Sequence, residues 1–474
     1  MSALFEAMNK TATTDNGAKA HYSSLSANLD FFYLAGASRG KDIKQEFKAA
    51  LVENPEIALR NLQWLRDIRG GAGERQLFRE LLPLVGDVST ALQLLAKVPE
   101  LGRYDDLLAI AEDLSECGVL ENHVANAALV IFAEALKSNN GLAFKWAPIK
   151  GATAKKLRTI LGFKKEADWR KFVVSGRKTV EQQMCAKQWD EINFSHVPSV
   201  ASARYQKAFG RNAQENYSSY LQSLVKGDNG VKINASAVYP YDVYKSCFNG
   251  NPEVAEQQWK ALPNYLEGSS EKILPLIDVS GSMGCPAGGN ASLSCMDVAI
   301  SLGWYVADKA VGEFHNTFMT FEDKPRMLKL QNPVSLVETF KGIRQAPWGG
   351  STNIQAAFRT LLQAARDSNV LEDNMPTTIL IFSDMQFNSS NVNGRDATAF
   401  DMMKAEYEQY GYKLPKLVFW NLNATNKSIP VTKHETGTAM VSGFSPSLLK
   451  GILGGGMTPE QIMLDTIMVD RYAI

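Results

Sequence analysis

Ile273-Leu274-Pro275-Leu276-Ile277 runs directly into Asp278-Val279-Ser280-Gly281-Ser282, and this junction decides how the C-terminal half is read. Five consecutive apolar residues suit a strand buried on both faces. Working outward, Met296 to Val311 reads as a helix and Thr317 to Phe321 as a second strand. Ile354 to Ala365 is helical, and Thr378 to Phe382 is another buried strand. Phe400 to Tyr407 is a helix, Lys416 to Trp420 a strand, Thr438 to Val441 an edge or final strand, and Pro459 to Met468 a closing helix. Such alternation predicts a doubly wound α/β domain with a mostly parallel sheet. Ligands of such sheets bind at the carboxyl ends of the strands.

Three loops at those ends carry oxygen-bearing side chains. Asp278, Ser280 and Ser282 alternate along an extended segment, so one carboxylate and two hydroxyls face a common point, with Gly281 allowing a tight turn between them. Gly349-Gly350-Ser351-Thr352-Asn353 precedes one helix, and Ser383-Asp384 follows the Thr378 strand. Oxygen-only donors with few carboxylates suit Mg²⁺ or Mn²⁺ better than Zn²⁺. The bland alternative is that Asp278 and Ser280 only cap a helix or close a turn. Gly284-Cys285-Pro286-Ala287-Gly288-Gly289-Asn290 reads as a Gly-rich surface loop, with Cys285 and Cys295 as two free thiols.

The motif, its place after a buried strand, and the order of the Thr and Asp loops resemble the metal-ion-dependent adhesion site of von Willebrand factor A-type domains. The resemblance implies Ser280, Ser282 and Thr352 as direct ligands, with Asp278 and Asp384 acting directly or through water. It also implies capture of an acidic ligand without chemistry.

Length and composition set the frame. The 474 residues exceed one ordinary core, and 45% apolar with 21% charged residues is the balance of a globular protein. Three segments are expected: an irregular lead-in over 1–29, an α-helical domain over 30–268, and the α/β domain over 269–474. Five cysteines without CxxC spacing exclude a zinc knuckle or disulfide framework and fit a reducing compartment. No secretory leader is recognisable, and no run reaches the ~18 apolar residues of a membrane span. The expected location is cytoplasmic, without a membrane partner.

Between about Lys41 and Ser138, apolar stripes recur at helical spacing, as at Leu59, Leu62 and Leu65, or Leu107, Leu108, Ile110, Ala111 and Leu114. A stack of antiparallel helices buries them. Tyr239-Pro240-Tyr241 reads as a turn, and Gly451 to Gly456 as a hinge or helix break.

Formal net charge is zero, yet residues 145–211 hold fifteen Lys or Arg against five acids. Candidate RNA contacts are Lys145, Lys150, Lys155, Lys156, Arg158, Lys164, Lys165, Trp169, Arg170, Lys171, Arg177, Lys178, Arg204 and Lys207. Cations interleaved with aromatics serve a phosphate backbone and unpaired bases. The alternative is a solvated helix face whose aromatics are core.

Helices followed by an A domain resemble the TROVE/Ro ribonucleoproteins, and Arg66-Asp67-Ile68-Arg69-Gly70-Gly71-Ala72-Gly73-Glu74-Arg75 resembles the Gly-rich, Arg-flanked turn of that module. Trp189-Asp190-Glu191-Ile192, Val197 to Tyr205 and Tyr239-Pro240-Tyr241 are closer to an uncharacterised TROVE-related family of plants and viruses. The resemblance implies a HEAT-like helical repeat and binding of structured or single-stranded RNA. No catalytic centre emerges: His21, His123, His196, His315 and His434 sit in unrelated surroundings. The rival expectation is a protein–protein assembly module; a metal-dependent phosphodiesterase lacks a general base.

Overall fold

The computed structural model describes residues 11–14, 16–17, 19–115, 118–235, 238–287, 290–320, 325–330, 335–345, 353–387, 399–424, 427–453 and 458–474. They fall into two compact units, the first of residues 1–61, 70–72 and 238–473, the second of residues 62–69, 73–237 and 474.

The first unit is built on a six-stranded sheet. In chain order its strands are β3 (Ile273–Ile277), β6 (Thr317–Thr320), β7 (Met327–Lys329), β8 (Thr378–Ser383), β9 (Lys416–Asn421) and β10 (Thr438–Ser442). β1 (Thr11–Thr13) with β2 (Lys19–His21), and β4 (Pro286–Ala287) with β5 (Asn290–Ser294), form two-stranded antiparallel sheets. The large sheet runs β10-β9-β8-β3-β6-β7, parallel except for the β6–β7 edge. β3 and β8 are buried at every position, as continuous apolar runs require. The chain leaves β3 towards β6 on one side and leaves β8 towards β9 on the other. The order therefore reverses between β3 and β8, and such a reversal opens a crevice at the strand ends.

Helix Cys295–Lys309 starts in a reciprocal cap: the Asp297 amide donates to Ser294 Oγ and the Ser294 amide to Asp297 Oδ2, each at 3.1 Å. It lies so close to β3 that a Cβ on Gly303 would sit 2.5 Å from Ile277 Cδ1. Helix Ala27–Ala35 approaches β10 just as closely, because a Cβ on Gly36 would meet Ser442 O at 2.4 Å. Ser442 Oγ donates to Phe32 O and accepts from the Gly36 amide.

The compact units thus divide elsewhere than at residue 268. Helices Pro240–Asn249 and Pro252–Lys260 join the first unit through aromatic packing, Tyr244 and Trp259 against Phe340 of helix Leu336–Arg344. Tyr239-Pro240 is a helix start rather than a turn, with the Tyr239 amide donating to Asp242. Where described, the lead-in holds β1, β2 and the first residues of helix Ala27–Ala35, with residues 22–26 outside any strand or helix. Its strands lack an apolar pattern and are held by distant partners: His21 and Ile429 exchange both backbone hydrogen bonds, and Thr14 Oγ1 donates to Phe387 O.

The second unit is helical, with helices from Gln76–Leu81 to Gln214–Lys226. The expected stripe at Leu107, Leu108, Ile110, Ala111 and Leu114 is part of its core, and Leu77, Phe78, Leu94, Leu95 and Phe132 are buried with it. The Arg-flanked turn has a structural use. Arg66 and Arg75 both donate to Asp106, whose side chain is wholly buried. Burial pushes the Asp106 carboxyl up, but the Arg66 and then the Arg75 guanidinium outweigh it and hold it below the usual carboxylate range.

Candidate functional site

Asp278 directly follows β3, and its amide extends the ladder by donating to Phe382 O at 3.0 Å. Its carboxylate is fully buried; Oδ1 accepts from the Ser280 amide at 3.0 Å and Oδ2 from Ser383 Oγ at 2.5 Å. The second bond ties the loop after β3 to the last residue of β8. Ser280 Oγ and Ser282 Oγ lie 3.0 Å apart, with Ser282 open to solvent. Gly281 turns out to have an ordinary backbone conformation. The left-handed residue is Met385, at φ 63°, and it directly follows Asp384. A buried non-glycine held there stores strain, which is common where the chain must aim a functional side chain.

Asp384 is almost wholly buried, and its charge reaches Asp278. The Asp278 carboxyl is pushed up to about 6, first by burial and then by Asp384. Thr352 lies outside the described residues. Among the described residues no three His, Cys, Asp or Glu side chains converge on one point. Two buried carboxylates in electrostatic reach, beside two hydroxyls, form an oxygen donor set suited to a hard divalent cation.

The surroundings of Asp384 were not legible in the sequence. Lys41, from the segment after Gly36, hydrogen-bonds Asn423 and is held below the usual lysine range by burial, against the pull of Cys295, Cys285 and Asp384. Asn423 Nδ2 donates to Cys285 Sγ at 3.0 Å. Cys285 and Cys295 have sulfurs 3.5 Å apart. Their shared hydrogen bond lowers the Cys285 thiol to about 7 and, with burial, raises that of Cys295. The supposed Gly-rich loop is the β4–β5 hairpin, with Gly288 and Gly289 outside the described residues. No sequence signal links Lys41 to residues more than two hundred positions away.

In the second unit, Lys150, Lys155, Lys156, Lys164, Lys165, Arg170, Lys171, Lys178, Arg204 and Lys207 are exposed, and Lys145, Arg158 and Arg177 half-buried. Trp169 corrects the sequence reading. It is 1% exposed, packs against Phe163 and Phe172, and donates Nε1–H to Pro148 O, so no base stacks on it. Arg177 is committed to the Phe144 and Ala147 carbonyls, Lys145 to Glu181, and Arg170 to Glu166. A cleft of about 830 Å³ is lined by Lys145, Arg177, Lys178, Gln182, Gln183 and His196 among others. Among the described residues no helix is long and apolar enough to cross a membrane.

Residues 272–470 match a family model described as Domain of unknown function (DUF7788), and residues 169–271 match Domain of unknown function (DUF2828). The two matches meet immediately before β3. Uncharacterized protein L728 of Acanthamoeba polyphaga mimivirus is 32% identical over 501 residues, covering 94% of this chain and 85% of that protein. Identity sustained across nearly the whole of both chains takes in the helical unit and the sheet together, and this chain belongs to the family of that mimivirus protein.

Proposed function

We propose that this chain is a non-enzymatic, cytoplasmic RNA-binding protein of the Ro/TROVE type. Its helical unit binds RNA, and its sheet domain is of the von Willebrand A type. The observation that carries the reading is the row of exposed cations on helices Ala152–Ile160 and Glu166–Gly176 and the turns beside them, including Lys155, Lys156, Lys164 and Lys165. Phosphates displace counterions from such a surface, which makes binding strong at low salt and weak at high salt. With Trp169 in the core, recognition falls on backbone and shape rather than on stacking at that residue.

A second role for the sheet domain is favoured by the burial of Asp278 beside Asp384. Asp278, Ser280, Ser282 and Asp384 would hold Mg²⁺ or Mn²⁺, with Thr352 as the fifth candidate ligand. The ion would supply an open coordination position for a carboxylate or phosphate oxygen. Ser383 positions Asp278, and Met385 positions Asp384.

Fluorescence anisotropy with single-stranded and hairpin RNAs across a salt series tests the first reading. Charge reversal at Lys155, Lys156, Arg158 and Lys164 is expected to lower the logarithmic salt slope by up to about four, roughly one per lost phosphate contact. Absence of binding at low salt overturns it. The second reading expects complex formation sensitive to EDTA and lost in Asp278→Ala, whether or not RNA is present.

A further inference from the structure

Two thiols stand within electrostatic reach of Asp384, and nothing in the RNA or cation readings uses them. Cys285 ends the turn Gly281–Gly284, and Cys295 opens helix Cys295–Lys309. The hairpin between them brings them face to face: the Cys295 amide donates to Cys285 O at 3.0 Å, and Pro286 is the strand partner of Ser294. The sulfurs are 3.5 Å apart and not bonded. A disulfide needs them to close to about 2.05 Å, a movement within reach of side-chain rotation when the backbones are already paired. Their exposure differs in a useful way, since Cys285 is half-buried and Cys295 fully buried. One sulfur therefore meets an oxidant first, while the other waits in contact behind it. Asn423 Nδ2–H donates to Cys285 Sγ and stabilises negative charge on the outer sulfur.

We propose that Cys285 and Cys295 form a peroxide-reactive dithiol that closes to an intrachain disulfide. The Cys285 thiolate attacks one oxygen of hydrogen peroxide, the O–O bond breaks, and the leaving hydroxide takes a proton to become water. Cys285 is then a sulfenic acid. The Cys295 sulfur attacks Cys285 Sγ and the S–O bond breaks. The departing hydroxide takes the Cys295 proton as a second water. Two sulfurs lose two electrons in all, and one peroxide gains them. A thiol reductant reopens the bond. The new bond fastens the end of the Ser282 turn to the start of a helix packed on β3, so oxidation stiffens the loop that follows Asp278.

The sequence makes the test direct. Both cysteines lie in one tryptic peptide, Ile273 to Lys309, which contains no internal Lys or Arg. Cys185, exposed on the surface, serves as an internal control. The reduced full-length protein is treated with stoichiometric hydrogen peroxide, alkylated under denaturing conditions, digested and weighed. The expected result is a 273–309 peptide lighter by two hydrogens and carrying no alkyl group, at peroxide doses that leave Cys185 alkylated. In Cys295→Ser the reaction should stop at Cys285 sulfenic acid, trapped as a dimedone adduct. Recovery of the peptide with both cysteines alkylated, at doses that oxidise Cys185, overturns the proposal. So does a Cys295→Ser protein in which Cys285 forms no adduct.

Discussion

Asp106 in the helical unit and Asp278 in the sheet unit are both carboxylates withdrawn from water, and their surroundings answer the charge in opposite ways. Asp106 has two guanidiniums, Arg66 and Arg75, and its carboxyl is held low. Asp278 has an amide and a hydroxyl, and among the described residues no Lys or Arg forms an ion pair with it; its carboxyl is pushed up. A buried charge is expensive unless it is matched. Where the match is internal, the carboxylate holds the fold together. Where it is left to two dipoles and a second carboxylate, the carboxyl is pushed up and takes a proton more readily.

The largest test of this contrast is Asp106→Ala. It strands a buried guanidinium and is expected to cost about 3–5 kcal/mol, read from urea denaturation. A midpoint equal to that of the unmodified protein breaks the comparison. Asp278→Asn should do the reverse in EDTA, because it removes a buried charge that lacks a counter-ion. Unfolding near neutral pH should become harder by about 1–3 kcal/mol. The same variant should lose any stabilisation by Mg²⁺, so the two measurements sharpen the comparison from both sides.

The signs with pH are opposite. The Asp106 carboxyl is depressed in the folded state, so its contribution is present above the ordinary value of 3.8 and lost as pH falls through the folded value. The Asp278 carboxyl is raised, so its contribution is full below 3.8 and lost as pH rises through about 6. Stability of Asp278→Asn relative to the unmodified protein should therefore climb across that interval, and a flat difference tells against the raised carboxyl. The smallest effect is expected at the surface. Arg170→Ala breaks an exposed pair with Glu166 and should leave the denaturation midpoint unchanged, because exposed ion pairs contribute little.

Trp169 shows the limit of reading a basic, aromatic segment. Interleaved Lys, Trp and Phe have the same spelling whether the rings stack on bases or on each other. Here Phe163, Trp169 and Phe172 pack edge-on or tilted against each other, and most of the cations lie outside, with Trp146 exposed beside them. The 145–211 charge excess was legible because solvation of charge needs no partner.

Chain order alone was enough for the alternation of strand and helix, since a strand covered on both faces must be apolar at successive positions, as β3 and β8 are. It was also enough to put Asp278 and Asp384 at strand ends. Three features depended on distant parts of the chain. The division of the units is one, because helix Ala27–Ala35 and the helices after residue 238 reveal their packing only against β10 and helix Leu336–Arg344. The company kept by Asp278 is another, with Ser383 more than a hundred positions away. Lys41, Asn423 and the two facing thiols are the third. Burial, charge matching and sulfur contact are properties of neighbours in space, and a one-dimensional order names neighbours only along the chain.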